Sequence, residues 1–173
     1  MRRHNVVLPS WTKWVLLALI LILVALIIFF TVIYNDIQNS KTYGFQAAEE
    51  RVLEETDVSE VVETMRYHGE VLHHVVFGKN RSNETLIVFV PEDRESELTV
   101  VNKKDIEPVE NVRENWLSEC ANCELIDIVP AILNNDPLWE ITFYDEAGRY
   151  VLNYVSIFDG SKYEEFRFRK MFD

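Results

Sequence analysis

The feature that most constrains this chain is an uncharged apolar stretch near the N-terminus. No charged residue occurs between Lys13 and Asp36, and residues 15–30 are all apolar. With its flanks the stretch has about 20 residues, which span roughly 30 Å as an α-helix and match the hydrocarbon thickness of a bilayer. Trp14 and Tyr34 stand at its two ends, where interfacial aromatic residues are expected. The sequence therefore predicts a transmembrane helix over residues 14–34.

Charges on either side of this stretch predict its orientation. Arg2, Arg3 and Lys13 precede it without any acidic residue, whereas all 29 acidic residues follow it. Basic flanks stay in the cytoplasm, so residues 1–13 are expected to form a cytoplasmic tail and the rest to lie outside the cell. A cleaved signal peptide is the rival interpretation, but signal peptides have a shorter apolar region and a cleavage site with small residues. Residues 29–34 offer no such site, which favours an uncleaved single-pass anchor in the cell membrane.

The acidic composition narrows the range of partners. The formal net charge is −12, so nucleic acid and anionic lipid surfaces would repel the chain. A negative surface instead favours solubility or contact with a basic protein patch. About 140 residues follow the anchor, enough for one ordinary domain or two small ones.

Helical and strand-like patterns alternate twice after the anchor. Phe45, Ala48 and Val52 are three and four residues apart, which predicts an amphipathic helix. Strand-like runs bounded by Gly, Asn and Pro follow at residues 61–67, 71–77 and 85–90, with a shorter run at 98–101.

A second helix and a second set of strands come next. Asp105 is the expected N-cap, and Pro108 falls in the first turn, where its missing N–H does little harm. Trp116 belongs to an apolar stripe of that helix. Strands are predicted over residues 125–133, 138–144, 150–158 and 163–168.

The predicted fold class is α+β, with one transmembrane helix and two tandem helix-plus-antiparallel-sheet units. The first unit, with a juxtamembrane helix, is expected over residues 35–103 and the second over 104–173. In the second unit Trp139, Ile141 and Phe143 alternate with polar residues, which predicts that they face the helix. Along this last strand the alternating apolar positions change from Tyr150, Leu152 and Tyr154 to Val155. This change predicts a bulge or a strand covered on both faces.

Several segments together resemble a known family. They are the run from Leu138 to Phe143, the Asp-Glu-Ala-Gly turn at 145–148, the run from Tyr150 to Val155, the Asp-Gly pair at 159–160, and the Gln-Ala-Ala sequence at 46–48. Together with the basic tail and the anchor, they resemble the YpmB/TseB-like proteins, Gram-positive regulators of cell-wall elongation with tandem PepSY-like (cystatin-like) units. The likeness is concentrated near the C-terminus.

That resemblance implies a non-enzymatic function. The implied partner is a class B penicillin-binding protein, the transpeptidase that cross-links peptidoglycan during elongation, anchored in the same membrane. Inhibition or chaperoning of a secreted peptidase is the alternative function, because PepSY-type modules resemble such proteins. The resemblance brings no catalytic residues, and the Cys120/Cys123 pair and the missing Gly- and Lys-rich helix depart from the family pattern.

Cys120 and Cys123 form the sharpest motif, a C-x-x-C pair. The pair follows the end of the predicted helix, where the helix dipole disfavours a reactive thiolate. A structural disulfide or a pair of buried thiols is therefore expected, with redox function as the alternative. Two ligands alone are too few for a closed zinc site.

No other pattern predicts an enzyme, a cofactor or a metal. His73 and His74 are adjacent in a predicted strand, so they point to opposite faces. No nucleophile elbow, calcium loop or dinucleotide fingerprint occurs, and the five glycines form no phosphate-binding loop. We expect neither catalytic residues nor a cofactor.

Open sheet faces and the last edge strand are the expected partner-binding surfaces. Val151, Asn153 and Val155 alternate with Tyr150 and Leu152 and so lie on the opposite face of their strand. These three residues are therefore the predicted partner-binding face.

Overall fold

A computed structural model describes residues 10–69 and 71–169, with side-chain detail left out at residues 10, 12, 13 and 35–41. The expected cytoplasmic tail therefore lies largely outside the described residues. The chain divides into two compact units, Met1–Tyr43 and Gly44–Asp173. The second of these is called the ectodomain below, after the orientation that the sequence predicts.

The N-terminal unit contains one long helix, α1, over Ser10–Lys41. Within it Trp14–Tyr34 is a span of 21 residues that is long and apolar enough to cross a membrane. Its apolar side chains are exposed all around the helix, as in a helix whose surroundings are lipid. The helix fits a single-pass membrane anchor, and it continues past Tyr34 instead of breaking there.

The first half of the ectodomain is a helix on a four-stranded antiparallel sheet with the strand order β1-β2-β3-β4. Its elements are α2 (Phe45–Glu55), β1 (Val58–His68), β2 (Leu72–Asn80), β3 (Thr85–Pro91) and β4 (Thr99–Asn102). Ala48 and Val52 of α2 are buried in one cluster with Val76, Val88 and Val90 of the sheet. The three-and-four spacing of the apolar helix residues therefore buries the face that the sequence predicts.

The second half repeats this arrangement with the strand order β5-β6-β7-β8. Its elements are α3 (Val109–Glu119), β5 (Glu124–Leu133), β6 (Asp136–Tyr144), β7 (Tyr150–Ser156) and β8 (Lys162–Phe168). The expected N-cap at Asp105 is wrong: a short 3-10 turn, Lys103–Asp105, intervenes, and Pro108 precedes the first residue of α3. Asn102 caps that turn by accepting a hydrogen bond from the Lys104 N–H at 3.1 Å.

Helix α3 lies on the face of the second sheet that the alternation predicts. The rings of Trp116 and Phe143 meet edge-on with centroids 5.3 Å apart, and the indole Nε1 of Trp139 donates to the Glu107 carbonyl at 3.1 Å. The pairing of β7 with β8 shifts register between Tyr154 and Val155, so the parity change in the sequence reflects an irregularity in the sheet. The α+β class is confirmed.

A second hydrophobic cluster, separate from the one beneath α2, contains residues of both halves. Tyr67, Val75, Ile87 and Phe89 alternate along the strands of the first sheet with the residues that face α2, and so lie on its other face. They belong to the same buried cluster as Trp116 and Trp139 of the second half. The second half therefore covers the face of the first sheet that α2 leaves free.

Candidate partner-binding surface

The structure corrects the sequence-based assignment of the partner-binding face. The exposed fractions of Val151, Asn153 and Val155 are 0%, 7% and 7%. Strand pairing places them opposite Phe143, Ile141 and Trp139, respectively, on the face that α3 covers. A helix packed on that face removes the three side chains from solvent, which argues against their direct contact with a partner protein.

Aromatic residues occupy the opposite face of the same sheet. Tyr144, Tyr150 and Phe168 are directly paired across strands β6, β7 and β8, and their consecutive ring centroids are 5.8 and 6.2 Å apart. Phe166 lies two residues from Phe168 on the same side of β8. These four residues, here called the aromatic face, have exposed fractions of 42%, 37%, 50% and 40% in the order named.

Carboxylates surround the aromatic face. Glu124 of β5 is paired with Tyr144, and Glu164 of β8 is paired with Tyr154, so both lie on the same side of the sheet as the aromatic rings. Asp127, also on β5, adds a third exposed acid on that side. Aromatic rings with acidic neighbours suit a partner that presents Lys or Arg between apolar side chains, because the rings and the carboxylates both attract cations.

A buried polar cluster supports the aromatic face from one end. The Tyr154 ring contacts Phe166 at a centroid distance of 6.0 Å, and its hydroxyl donates to Glu140 Oε2 at 2.6 Å. Tyr67 of the first sheet lies beside both Tyr154 and Glu140, and burial raises its pKa to about 12. Burial, followed by the hydrogen bond to Glu140, also raises the pKa of Tyr154. Both tyrosines therefore stay neutral at ordinary pH, and both lie in the buried cluster that contains residues of the two sheets.

The edge strand β8 is poorly suited to pairing with a strand of another protein. It carries Lys162, Glu165 and Arg167, and Glu165 accepts hydrogen bonds from both cations. Charged residues on an edge strand discourage edge-to-edge pairing. The face of this sheet is consequently a better docking surface than its edge.

The structure also places the cysteine pair and the two adjacent histidines. Cys120 and Cys123 form a disulfide just after α3, with their Cα atoms 5.4 Å apart. His73 is partly exposed with its Nδ1 3.0 Å from the Val71 carbonyl, whereas His74 is buried beside the Phe45 ring. The two histidines therefore do not converge. Among the described residues no group of three His, Cys, Asp or Glu side chains is placed to hold a metal ion.

The sequence-based prediction for β7 named the side that α3 covers, whereas the exposed aromatic residues lie on the other side. The signal of the aromatic face was present in the alternation of Tyr150, Leu152 and Tyr154, and in the two phenylalanines of β8. Alternation identifies two faces of a strand but not which one a helix covers.

The structure therefore has an α+β fold, an N-terminal helix that fits a membrane anchor, and an exposed aromatic face on its second sheet. The sequence profile of the cell wall elongation regulator TseB-like domain matches residues 47–91. The chain is 26% identical over 140 residues to a Bacillus subtilis (strain 168) protein named "Probable cell wall elongation regulator TseB"; the match covers 81% of this chain and 87% of that protein.

The solved structure of the YpmB protein from Bacillus subtilis has the same fold. It is superimposed with a TM-score of 0.68 and 24% identity, covering 72% of this chain and 98% of that one. The resemblance to the YpmB/TseB-like family is therefore confirmed. The profile match lies in the first half of the ectodomain, although the sequence resemblance was strongest near the C-terminus.

Proposed function

We propose that this protein regulates cell-wall elongation by binding a class B penicillin-binding protein through the aromatic face, outside the cell. The regulatory part is supported by the similarity to a relative named as a cell wall elongation regulator. The identity of the partner comes from the sequence resemblance. The proposed orientation places the N-terminus in the cytoplasm, since the basic residues lie on that side of the anchor.

The exposed aromatic row is the observation that carries the docking surface. Tyr and aromatic residues generally are enriched among the residues that dominate binding energies. Here two tyrosines and two phenylalanines stand on consecutive strands of a rigid sheet, so little conformational entropy is lost when a partner covers them. The acidic residues around them select a partner with basic residues at the contact.

Anchoring explains how a small contact could suffice. Two proteins held in one membrane meet at a raised effective concentration. An interface built on four aromatic side chains and a few carboxylates can therefore be occupied even when its affinity in free solution is modest.

The test is a crosslinking pull-down from intact membranes with a tag on the N-terminus, read by mass spectrometry. The wild-type chain is expected to recover a class B penicillin-binding protein above a control that carries α1 alone. A Tyr150→Ser, Phe168→Ser double variant should recover about tenfold less, as expected for the loss of central interface aromatics.

A matched control keeps the number of substitutions and the introduced serine but moves the changes to exposed apolar residues of the first sheet. Val62 and Val100 are exposed there at 58% and 46%, and a Val62→Ser, Val100→Ser variant should recover the transpeptidase as well as the wild type does. Equal recovery by the Tyr150/Phe168 variant would exclude the aromatic face. Enrichment of a secreted peptidase in place of the transpeptidase would favour the inhibitor or chaperone function.

A further inference from the structure

A groove of the ectodomain is lined by residues of both of its halves. Its lining comes from the residues around the start of β2, the β3–β4 loop, and the end of β5 with the turn after it, and its volume is about 550 Å³. That volume is within the range of ligand-binding sites. Val71 has an exposed fraction of 53% and Leu98 is half-buried, so both apolar side chains are within reach of a ligand. The other apolar lining residues, Phe89, Pro91 and Ile132, are buried.

The outer part of this groove carries negative charge. Glu95 and Glu97 of the β3–β4 loop both line it and are exposed. No Lys or Arg is among the described residues of the lining. His73 also lines the groove, and its Nδ1 lies 3.0 Å from the Val71 carbonyl. A ligand therefore meets two carboxylates beside apolar side chains, which favours a cation with apolar parts.

The loop that carries the two carboxylates is held in place by hydrogen bonds. Asp93 accepts from the Glu95 N–H at 3.1 Å and from the Ser96 hydroxyl at 2.9 Å. From α2, Arg51 donates to the Ser96 carbonyl at 2.7 Å, and Glu55 pairs with the Arg51 guanidinium at 2.9 Å. Because the loop is already ordered, little conformational entropy is lost when a ligand binds. The charge of Arg51 is met by its own partner on α2 and does not cancel that of the groove.

Several kinds of ligand fit this groove less well than a basic protein segment does. In the part of the chain that the structure describes, no three His, Cys, Asp or Glu side chains are grouped for metal coordination. The carboxylates would repel an anionic lipid or a nucleic acid. A second copy of this chain, with a formal net charge of −12, would be repelled as well. A lysine of another protein suits both features, because its aliphatic stem covers apolar surface while its ammonium group reaches a carboxylate.

We propose that this groove binds an extended basic segment of another protein, in which lysines are next to apolar residues. Apolar side chains of that segment cover Val71 and Leu98, and its lysine ammonium groups lie beside Glu95 and Glu97. The groove shares no residue with the aromatic face, so the proposal does not depend on the transpeptidase contact.

The experiment uses the full chain in nanodiscs of uncharged phosphatidylcholine. The probe is the amidated peptide Ala-Leu-Lys-Lys-Leu-Ala with an N-terminal fluorescein, and its binding is measured by fluorescence anisotropy. The ionic strength is about 0.15 M, at which exposed charges are screened beyond about 8 Å. Binding should saturate with a dissociation constant on the order of 0.1 mM, as expected for a short peptide. The same peptide with acetylated lysines should bind about tenfold more weakly, because acetylation removes the positive charge.

Variants of exposed residues separate the groove from the overall acidity of the chain. A Glu95→Gln, Glu97→Gln variant should weaken binding about fivefold, as expected for two partly exposed charge pairs. A Glu110→Gln, Glu114→Gln variant removes the same charge from exposed residues of α3 that do not line the groove, and it should bind as the wild type does. Val71→Ser should also weaken binding about fivefold, because the peptide covers less apolar surface.

Photo-crosslinking locates the bound peptide. Val71→p-benzoylphenylalanine should crosslink to the peptide, whereas the same change at Val62 of β1, exposed at 58%, should not. Absence of saturable binding would overturn the proposal, as would equal weakening by the α3 control variant. Binding that is lost only in the Tyr150→Ser, Phe168→Ser variant would overturn it too, by moving the peptide to the aromatic face. Because this titration contains no synthase, its failure is distinct from a failed pull-down.

Discussion

Replacing Phe89 by Ala tests whether the two halves of the ectodomain form one cooperative unit. Phe89 belongs to the first sheet, is fully buried, and lies in the core cluster that contains Trp116 and Trp139 of the second half. A buried Phe→Ala change removes transfer free energy and leaves a cavity, which together cost about 3–5 kcal/mol. If the core is shared, this loss is felt in the half of the ectodomain that carries no substitution.

The position of the tryptophans makes the assay selective. The chain has four tryptophans; once Trp11 and Trp14 of α1 are changed to Phe, the remaining fluorescence comes only from Trp116 and Trp139 in the second half. Urea unfolding of the full chain in nanodiscs is then followed by fluorescence. With a urea dependence of about 2 kcal/mol per molar, the fluorescence midpoint should fall by about 2 M in the Phe89→Ala variant.

A matched control and a second probe complete this experiment. Val62 is exposed at 58% on the first sheet, so Val62→Ala should change the free energy of unfolding by no more than about 0.5 kcal/mol. Circular dichroism should give the same midpoint as fluorescence. The reasoning is refuted if Phe89→Ala leaves the fluorescence midpoint unchanged while circular dichroism shows an earlier, separate transition.

Three further predictions concern backbone strain and pH. Gly44→Ala should lower the midpoint of thermal unfolding more than Gly148→Ala does. Both glycines have a positive φ, 84° and 70°, respectively. A Cβ at Gly44 would lie 2.8 Å from the His74 ring, whereas a Cβ at Gly148 would meet open space. The left-handed backbone alone accounts for about 1–2 kcal/mol at either site. Burial raises the pKa of Tyr67 to about 12. The stability that this group contributes is therefore complete below about pH 10 and is lost as the pH rises toward about 12. In the Tyr67→Phe variant, the free energy of unfolding measured in urea should change less with pH over that range. The pKa of Asp145 is lowered, first by a backbone N–H of its own turn, so its contribution is present above its unfolded value and is lost on acidification; Asp145→Asn should make stability below pH 5 less pH-dependent than in the wild type.

Local patterns predicted the secondary structure well because the relevant forces act over a few residues. The spacing of Phe45, Ala48 and Val52 specified α2, and the alternation of Trp139, Ile141 and Phe143 specified the face toward α3. The exception at Asp105 is instructive. Asp105 followed three residues later by Pro108 satisfies the local rules for a helix start. The chain nevertheless forms a short turn capped by Asn102 before α3 begins.

The candidate sites depended on information that no local pattern carries. Asn153 alternates with apolar and aromatic neighbours in β7, and the sequence gives two faces for that strand without saying which one is covered. Helix α3 packs on the face that contains Asn153 and buries it, whereas Tyr150 and Phe168 lie on the other face and stay exposed.

The sequence by itself predicted the apolar anchor helix, the α+β class and the repeated helix–sheet order, because composition, periodicity and turn residues act locally along the chain. Only the tertiary structure decided that the two halves share a core, since Phe89 and Trp116 are distant in sequence yet belong to one buried cluster. It also decided which face of the second sheet meets solvent. That choice follows from the position of α3. Side chains on the opposite face of the second sheet are exposed wherever the first sheet does not cover them.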